Sequence, residues 1–133
     1  MIVTPVTTLA SDGTNISLVP GREYEVLGIE CGHFRILTDS DDPQCADDPV
    51  LYEPGIFRVI DATEPEFWIT EFIEGERYSY PAEWTKGCFF EAYHDRVKEV
   101  RDRFWLDLKR LYPASWSVRA GTANTSLERK RER

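Results

Sequence analysis

The chain has 133 residues, is 41% apolar and 13% aromatic, and carries a formal net charge of −8. That length suits one domain able to bury about two thirds of its unfolded surface, and the composition excludes a disordered chain. The charge is uneven: residues 1–85 hold seventeen acids against Arg22, Arg35, Arg58 and Arg77, a net of −13, whereas residues 86–133 net +5. An acidic excess of that size disfavours nucleic acid and anionic membrane as partners and favours a basic protein.

Cys31, Cys45 and Cys88 are odd in number and widely spaced, a poor disulfide framework. The first residues lack a basic segment followed by a long apolar run, and no stretch approaches the ~20 apolar residues of a membrane span. The expected setting is cytoplasmic and reduced.

In chain order, Ile2 to Leu9 is rich in β-branched residues, and Ser11-Asp12-Gly13-Thr14-Asn15 is a turn cluster. Ile16 to Val19 is a short apolar run closed by Pro20-Gly21. Tyr24 to Ile29 reads as a half-buried strand in which Gly28 marks a bulge or bend. Phe34 to Leu37 is the next strand, joined through Cys31-Gly32-His33 as a hairpin. Residues 39–49 form a polar loop with five Asp. Val50 to Tyr52, Ile56 to Ile60 and Phe67 to Ile73 are further strand candidates. Glu74-Gly75-Glu76 turns the last of these into Arg77-Tyr78-Ser79-Tyr80, a second hairpin.

After Gly87 the apolar period changes. Phe90, Tyr93, Val97, Val100, Phe104, Leu108 and Leu111 follow steps of three and four, which predicts one amphipathic helix from Phe89 to about Leu111. Glu99 and Arg103 stand at pairing distance on its polar side, Trp105 lies off the apolar stripe, and Pro113 ends it. Residues 113–133 lose periodicity and read as a basic tail, which vector-derived residues can extend. The expected fold is α+β: a small, strongly twisted, barrel-like antiparallel sheet of about six strands (residues 1–85) and one long helix (88–112), forming a single domain over 1–112.

Candidate chemistry is sparse. Cys31, His33 and Cys45 could begin a zinc site, but the spacing matches no established knuckle, and a hairpin turn with small thiols is the plainer reading. Asp39, Asp41, Asp42, Asp47 and Asp48 offer oxygens for calcium. An EF-hand starting at Asp39 would need Gly and Glu where Gln44 and Val50 stand. His94 and Asp95 are neighbours on a helix and do not face each other. No phosphate loop or nucleophile elbow occurs, so the expectation is a protein without catalytic activity, metal or cofactor.

The aromatic group Phe67, Trp68, Tyr78, Tyr80 and Trp84 around Pro65 and Pro81 has two readings. It could form a groove for a proline-rich or basic peptide, or cap the barrel and receive the helix.

Three segments carry a resemblance: Leu18-x-Pro20-Gly21-x-x-Tyr24-x-Val26-Leu27-Gly28-Ile29, Phe34-Arg35-Ile36-Leu37, and Pro49-Val50-Leu51-Tyr52-x-Pro54-x-x-Phe57-x-Val59-Ile60-Asp61. Glu76-Arg77-Tyr78-x-Tyr80-Pro81 and Gly87-x-Phe89-Phe90-Glu91 extend it to residue 91. The pattern resembles small bacterial proteins with a Src-homology-type small β-barrel, a group that brings no catalytic residues with it. Such proteins are similar to cytoplasmic immunity proteins that neutralise polymorphic toxins. The resemblance therefore implies a fold first and a function only by analogy.

The reading that follows is a non-catalytic acidic domain, an immunity- or antitoxin-type inhibitor of a basic toxin. The expected contact residues are Asp39, Asp41, Asp42, Asp47, Asp48, Glu64, Glu66, Glu74 and Glu76, with Trp68, Tyr78 and Trp84 as anchors. An adaptor binding a proline-rich or basic peptide through the aromatic groove is the alternative, and a metal-dependent enzyme the third.

Overall fold

Two tight turns organise the first half of the chain. At Cys31-Gly32 and again at Glu74-Gly75, both central residues have positive φ (+52° and +76°, +53° and +81°). That is the type I′ geometry whose twist matches antiparallel strands, and the second turn residue is Gly in both. The computed structural model describes residues 1–39 and 47–117. In it these turns close hairpins between β3 (Gly28–Glu30) and β4 (His33–Leu37), and between β7 (Trp68–Ile73) and β8 (Glu76–Pro81).

The fold is α+β. β5 (Pro49–Tyr52) joins these strands in a five-stranded antiparallel sheet of order β5-β4-β3-β8-β7. A second antiparallel sheet, of order β2-β1-β6, is built from β1 (Ile2–Pro5), β2 (Tyr24–Glu25) and β6 (Phe57–Asp61). The sheets remain separate and do not close into a barrel, which corrects the barrel-like sheet expected from the sequence.

The chain crosses between sheets three times, the last over residues 62–67 between β6 and β7. The run expected as one strand from Tyr24 to Ile29 splits at Val26-Leu27. The Val26 amide donates to the Met1 carbonyl (2.9 Å), and the next amide, Leu27, donates to Arg35 (2.8 Å) on the far side. A single bent segment thus serves both sheets. The second crossing is a single 3-10 turn, Pro54–Ile56, between β5 and β6. Ile16 to Val19 forms no strand; Ile16 and Leu18 instead drop from the 6–23 loop into the core.

That core gathers Val3, Tyr24, Val26, Ile29, Phe34, Ile36, Tyr52, Ile56 and Trp68 from both sheets. Gly28 is required beside it: a Cβ there would lie 2.2 Å from the Tyr80 ring. The close approach lets the Tyr80 hydroxyl meet Arg35, whose side chain is only 5% exposed. Arg35 donates to Tyr80 Oη (2.8 Å), the Pro49 carbonyl (2.7 Å) and Glu30 Oε1 (3.3 Å), and Tyr80 donates to the same Glu30 oxygen (3.0 Å). A buried guanidinium is tolerated only with such partners.

The described residues divide into two compact units, one ending at Gly87 and the other beginning at Cys88. In the second, the long helix expected over 89–111 is two helices, α1 (Phe89–His94) and α2 (Lys98–Leu111), with residues 113–117 also helical. The break is a Schellman motif. The Val97 amide reaches back to Ala92 (3.0 Å) and the Arg96 amide to Tyr93 (3.0 Å), with Arg96 left-handed at φ +63°. Arg101 ties the two helices, donating to the Tyr93 carbonyl (2.9 Å) with its guanidinium 4.4 Å over the Tyr93 ring. On α2, Arg103 pairs with buried Asp107 (3.0 Å), as does Arg110 (3.3 Å), in place of the Glu99 contact expected for Arg103.

Candidate functional site

The expected contact residues divide into groups with different surroundings. Asp39 is fastened to its own domain: Arg22 forms an ion pair with it, and Tyr24 Oη donates to it at 2.8 Å. Burial, with a contribution from the Asp39 carboxylate, pushes the Tyr24 hydroxyl up to about 12. Asp47 and Asp48 lie just before β5, where both amides bond to Thr38 (3.2 and 2.9 Å). Asp41 and Asp42 lie outside the described residues. Glu64 pairs with Arg77.

Trp68 and Trp84 are 9% and 2% exposed, and Tyr80 is 3% exposed. Trp68 and Trp84 are therefore buried residues and not surface anchors, and the open groove imagined for Tyr78, Tyr80 and Trp84 is not formed. Bulky rings flanked by Pro fill interior space as readily as they line a surface, and the sequence does not separate the two. Tyr78 is half-buried, and its Oη lies 2.8 Å from Cys31 Sγ. That contact first, then desolvation, raises the Tyr78 hydroxyl to about 12.

Glu66, Glu74 and Glu76 remain, all exposed: Glu66 precedes β7, Glu74 follows it in the turn, and Glu76 opens β8 beside its end. The sequence reading placed a strand here but missed its exposure at the edge of the sheet. β7 ends the five-stranded sheet, and its residues from Ile69 to Ile73 are all exposed, including Ile69 (45%), Phe72 (71%) and Ile73 (51%). Glu71 sits among them. Trp68 and Phe72 fall on one parity and Ile69 and Ile73 on the other, so this strand is apolar on both faces. That pattern was legible as a sign of cover on both sides. Here only the Trp68 end is covered.

Hairpin geometry shows which backbone groups β7 leaves free. Residues flanking a two-residue turn, here Ile73 and Glu76, exchange ladder bonds, and the pattern then alternates. The amides of Ile73, Glu71 and Ile69 thus face β8, while those of Phe72, Thr70 and Trp68 face outward. The Trp68 amide is accordingly used elsewhere, on the Pro65 carbonyl at 3.2 Å. Thr70 and Phe72 have no such backbone partner among the described residues.

Two other places were candidates for chemistry. A cleft of about 460 Å³ lies between the 10–17 loop and β5, but its Glu53 already accepts from the Ser11 amide (2.6 Å) and hydroxyl (2.8 Å). Those two bonds hold the Glu53 carboxyl below the usual range. For zinc, Cys31 and His33 are exposed at the β3–β4 turn, Cys45 lies outside the described residues, and no three potential ligands converge among the described residues. Cys88 is exposed, and its hydrogen bond with Glu91 raises the thiol, which disfavours the thiolate. No helix among the described residues is long and apolar enough to cross a membrane.

Comparison with protein-family models, with curated proteins and with solved structures returned no match to this chain.

Proposed function

We propose that the chain is a non-catalytic binding domain that takes a basic protein on β7 and its flanking acids, and that its class is the immunity- or antitoxin-type inhibitor of a basic toxin. The observation that carries this is the coincidence of exposed apolar side chains with one sign of charge. From residue 59 to residue 76 there are six acids and no Lys or Arg. The same segment exposes Val59, Ile60, Ile69, Phe72 and Ile73. Apolar centres give an interface its affinity, and the charged rim gives it partner choice and association rate. Many toxins that act on nucleic acid present Lys and Arg to phosphate, and an acidic inhibitor exploits that field.

The test is capture from native lysate on the immobilised full chain across a salt series, beside a variant with Glu66, Glu71, Glu74 and Glu76 all changed to Lys. The expected result is a basic protein retained by the wild type, released as salt rises and absent from the variant. Equal capture by both chains would overturn the proposal.

A further inference from the structure

We infer that β7 binds its partner by strand addition: an extended segment with basic and apolar residues in alternation pairs with the outer edge of β7 and lengthens the five-stranded sheet. This inference rests on the basic-partner reading above and names how that partner engages.

Three observations converge. β7 is six residues long and ends the sheet, so it offers a full strand's length of edge. Its Thr70 and Phe72 amides and carbonyls point outward by the hairpin geometry, the arrangement an added strand uses. Natural edge strands are usually protected by Lys, Pro, bulges or brevity; β7 has no Lys and no Pro, and its pairing with β8 runs without a shift from Trp68 to Ile73.

Charge selects the occupant. Glu71 lies at the centre of the strand, with Glu66 before it and Glu74 and Glu76 at the turn. A second copy pairing antiparallel on the same edge would bring these carboxylates together, which costs free energy. An incoming strand with Lys or Arg on the Glu71 face pairs with them, and its basic side chains lay their aliphatic stems on Ile69 and Ile73. Its alternate residues fall beside Thr70 and Phe72, where apolar groups fit. The other sheet's edge, β6, is a weaker candidate because Arg58 interrupts its acidic character.

The experiment titrates the full chain with a short peptide of alternating Lys and Val, read by amide hydrogen exchange and NMR shifts. A block peptide of the same composition and an oligolysine of the same length serve as comparisons. The alternating peptide is expected to slow exchange at Thr70 and Phe72 and to bind more tightly than either comparison. Thr70→Pro removes an outward N–H while leaving the β8 ladder intact, and should weaken binding about tenfold or more. Thr70→Ala keeps that N–H and should bind within about twofold of wild type.

The inference is overturned if the alternating peptide does not bind, if oligolysine binds as well, if protection appears elsewhere, if Thr70→Pro binds like Thr70→Ala, or if the chain alone pairs through β7. Capture that survives Thr70→Pro but not the fourfold charge reversal removes strand addition and leaves the basic-partner reading standing. Capture that survives the reversal removes the reading itself.

Discussion

β4 and β7 belong to the same sheet and treat their side chains in opposite ways. β4 buries a charge: Arg35 is 5% exposed and has three acceptors in contact. β7 exposes what is usually buried, with Phe72 at 71% and Ile73 at 51%. Burial normally follows hydrophobicity, so each strand carries a cost of desolvation or hydration that something must offset. For β4 the offset is within the domain, because the guanidinium finds its partners there. For β7 none is visible within the described residues, and the proposed partner would supply it. A polar group that is buried and satisfied belongs to the fold. An apolar cluster that is exposed and ringed by acids is what the proposed interface would cover.

The largest effect is expected where the comparison is broken at β4. Arg35→Ala takes the guanidinium donor from the Tyr80 hydroxyl and the Pro49 carbonyl and removes the counter-charge of Glu30. The expected loss is about 3 kcal/mol in urea unfolding, toward the low end for a broken buried pair because Glu30 is 31% exposed and can regain water. A loss below about 1 kcal/mol would mean that the network is ornamental. Gly28→Ala attacks the same group sterically. Its methyl meets the Tyr80 ring at 2.2 Å and forces the ring to move, at about 2 kcal/mol by the same measurement. Retained stability would show that the ring can swing without loss.

Tyr80 gives the network a pH signature. Burial is the chief cause raising its hydroxyl above the ordinary value, with the Glu30 carboxylate adding to the effect and Arg35 opposing it. Because the folded state holds the proton more tightly than the unfolded state, this contribution is complete below the unfolded value of ~10 and declines above it. Wild-type stability should therefore fall as pH climbs above ~10, and Tyr80→Phe should flatten that decline while costing about 1 kcal/mol at neutral pH. Parallel alkaline profiles for the two chains would contradict the assignment.

Much of this contrast was legible in the sequence, for reasons that differ by element. Both hairpins were, because Cys31-Gly32 and Glu74-Gly75 place Gly where φ must be positive. The split of Tyr24 to Ile29 between two sheets was only half legible: Gly28 announced a bend, but partner choice depends on distant Met1 and Arg35. The helix break was hidden, because Arg96 occupies the left-handed position that Gly usually fills and the apolar period continues across it. The acidic rim was legible as composition. That Trp68 and Trp84 are buried while Phe72 is exposed was not, since hydrophobicity alone does not tell a core ring from an exposed one.

The smallest effect is expected where the comparison is sharpened at β7. Phe72→Ser removes a large apolar group that the domain barely covers, so unfolding free energy should change by no more than about 0.5 kcal/mol. Partner capture should nevertheless fall severalfold or more, since exposed aromatic side chains at the centre of a contact carry much of its affinity. The paired readout separates the two roles: a residue of the fold loses stability first and binding only as a consequence, whereas a residue of the interface loses binding alone. If Phe72→Ser instead lowers stability as much as Gly28→Ala does, β7 is part of the core's support, and the opposition between the two strands collapses.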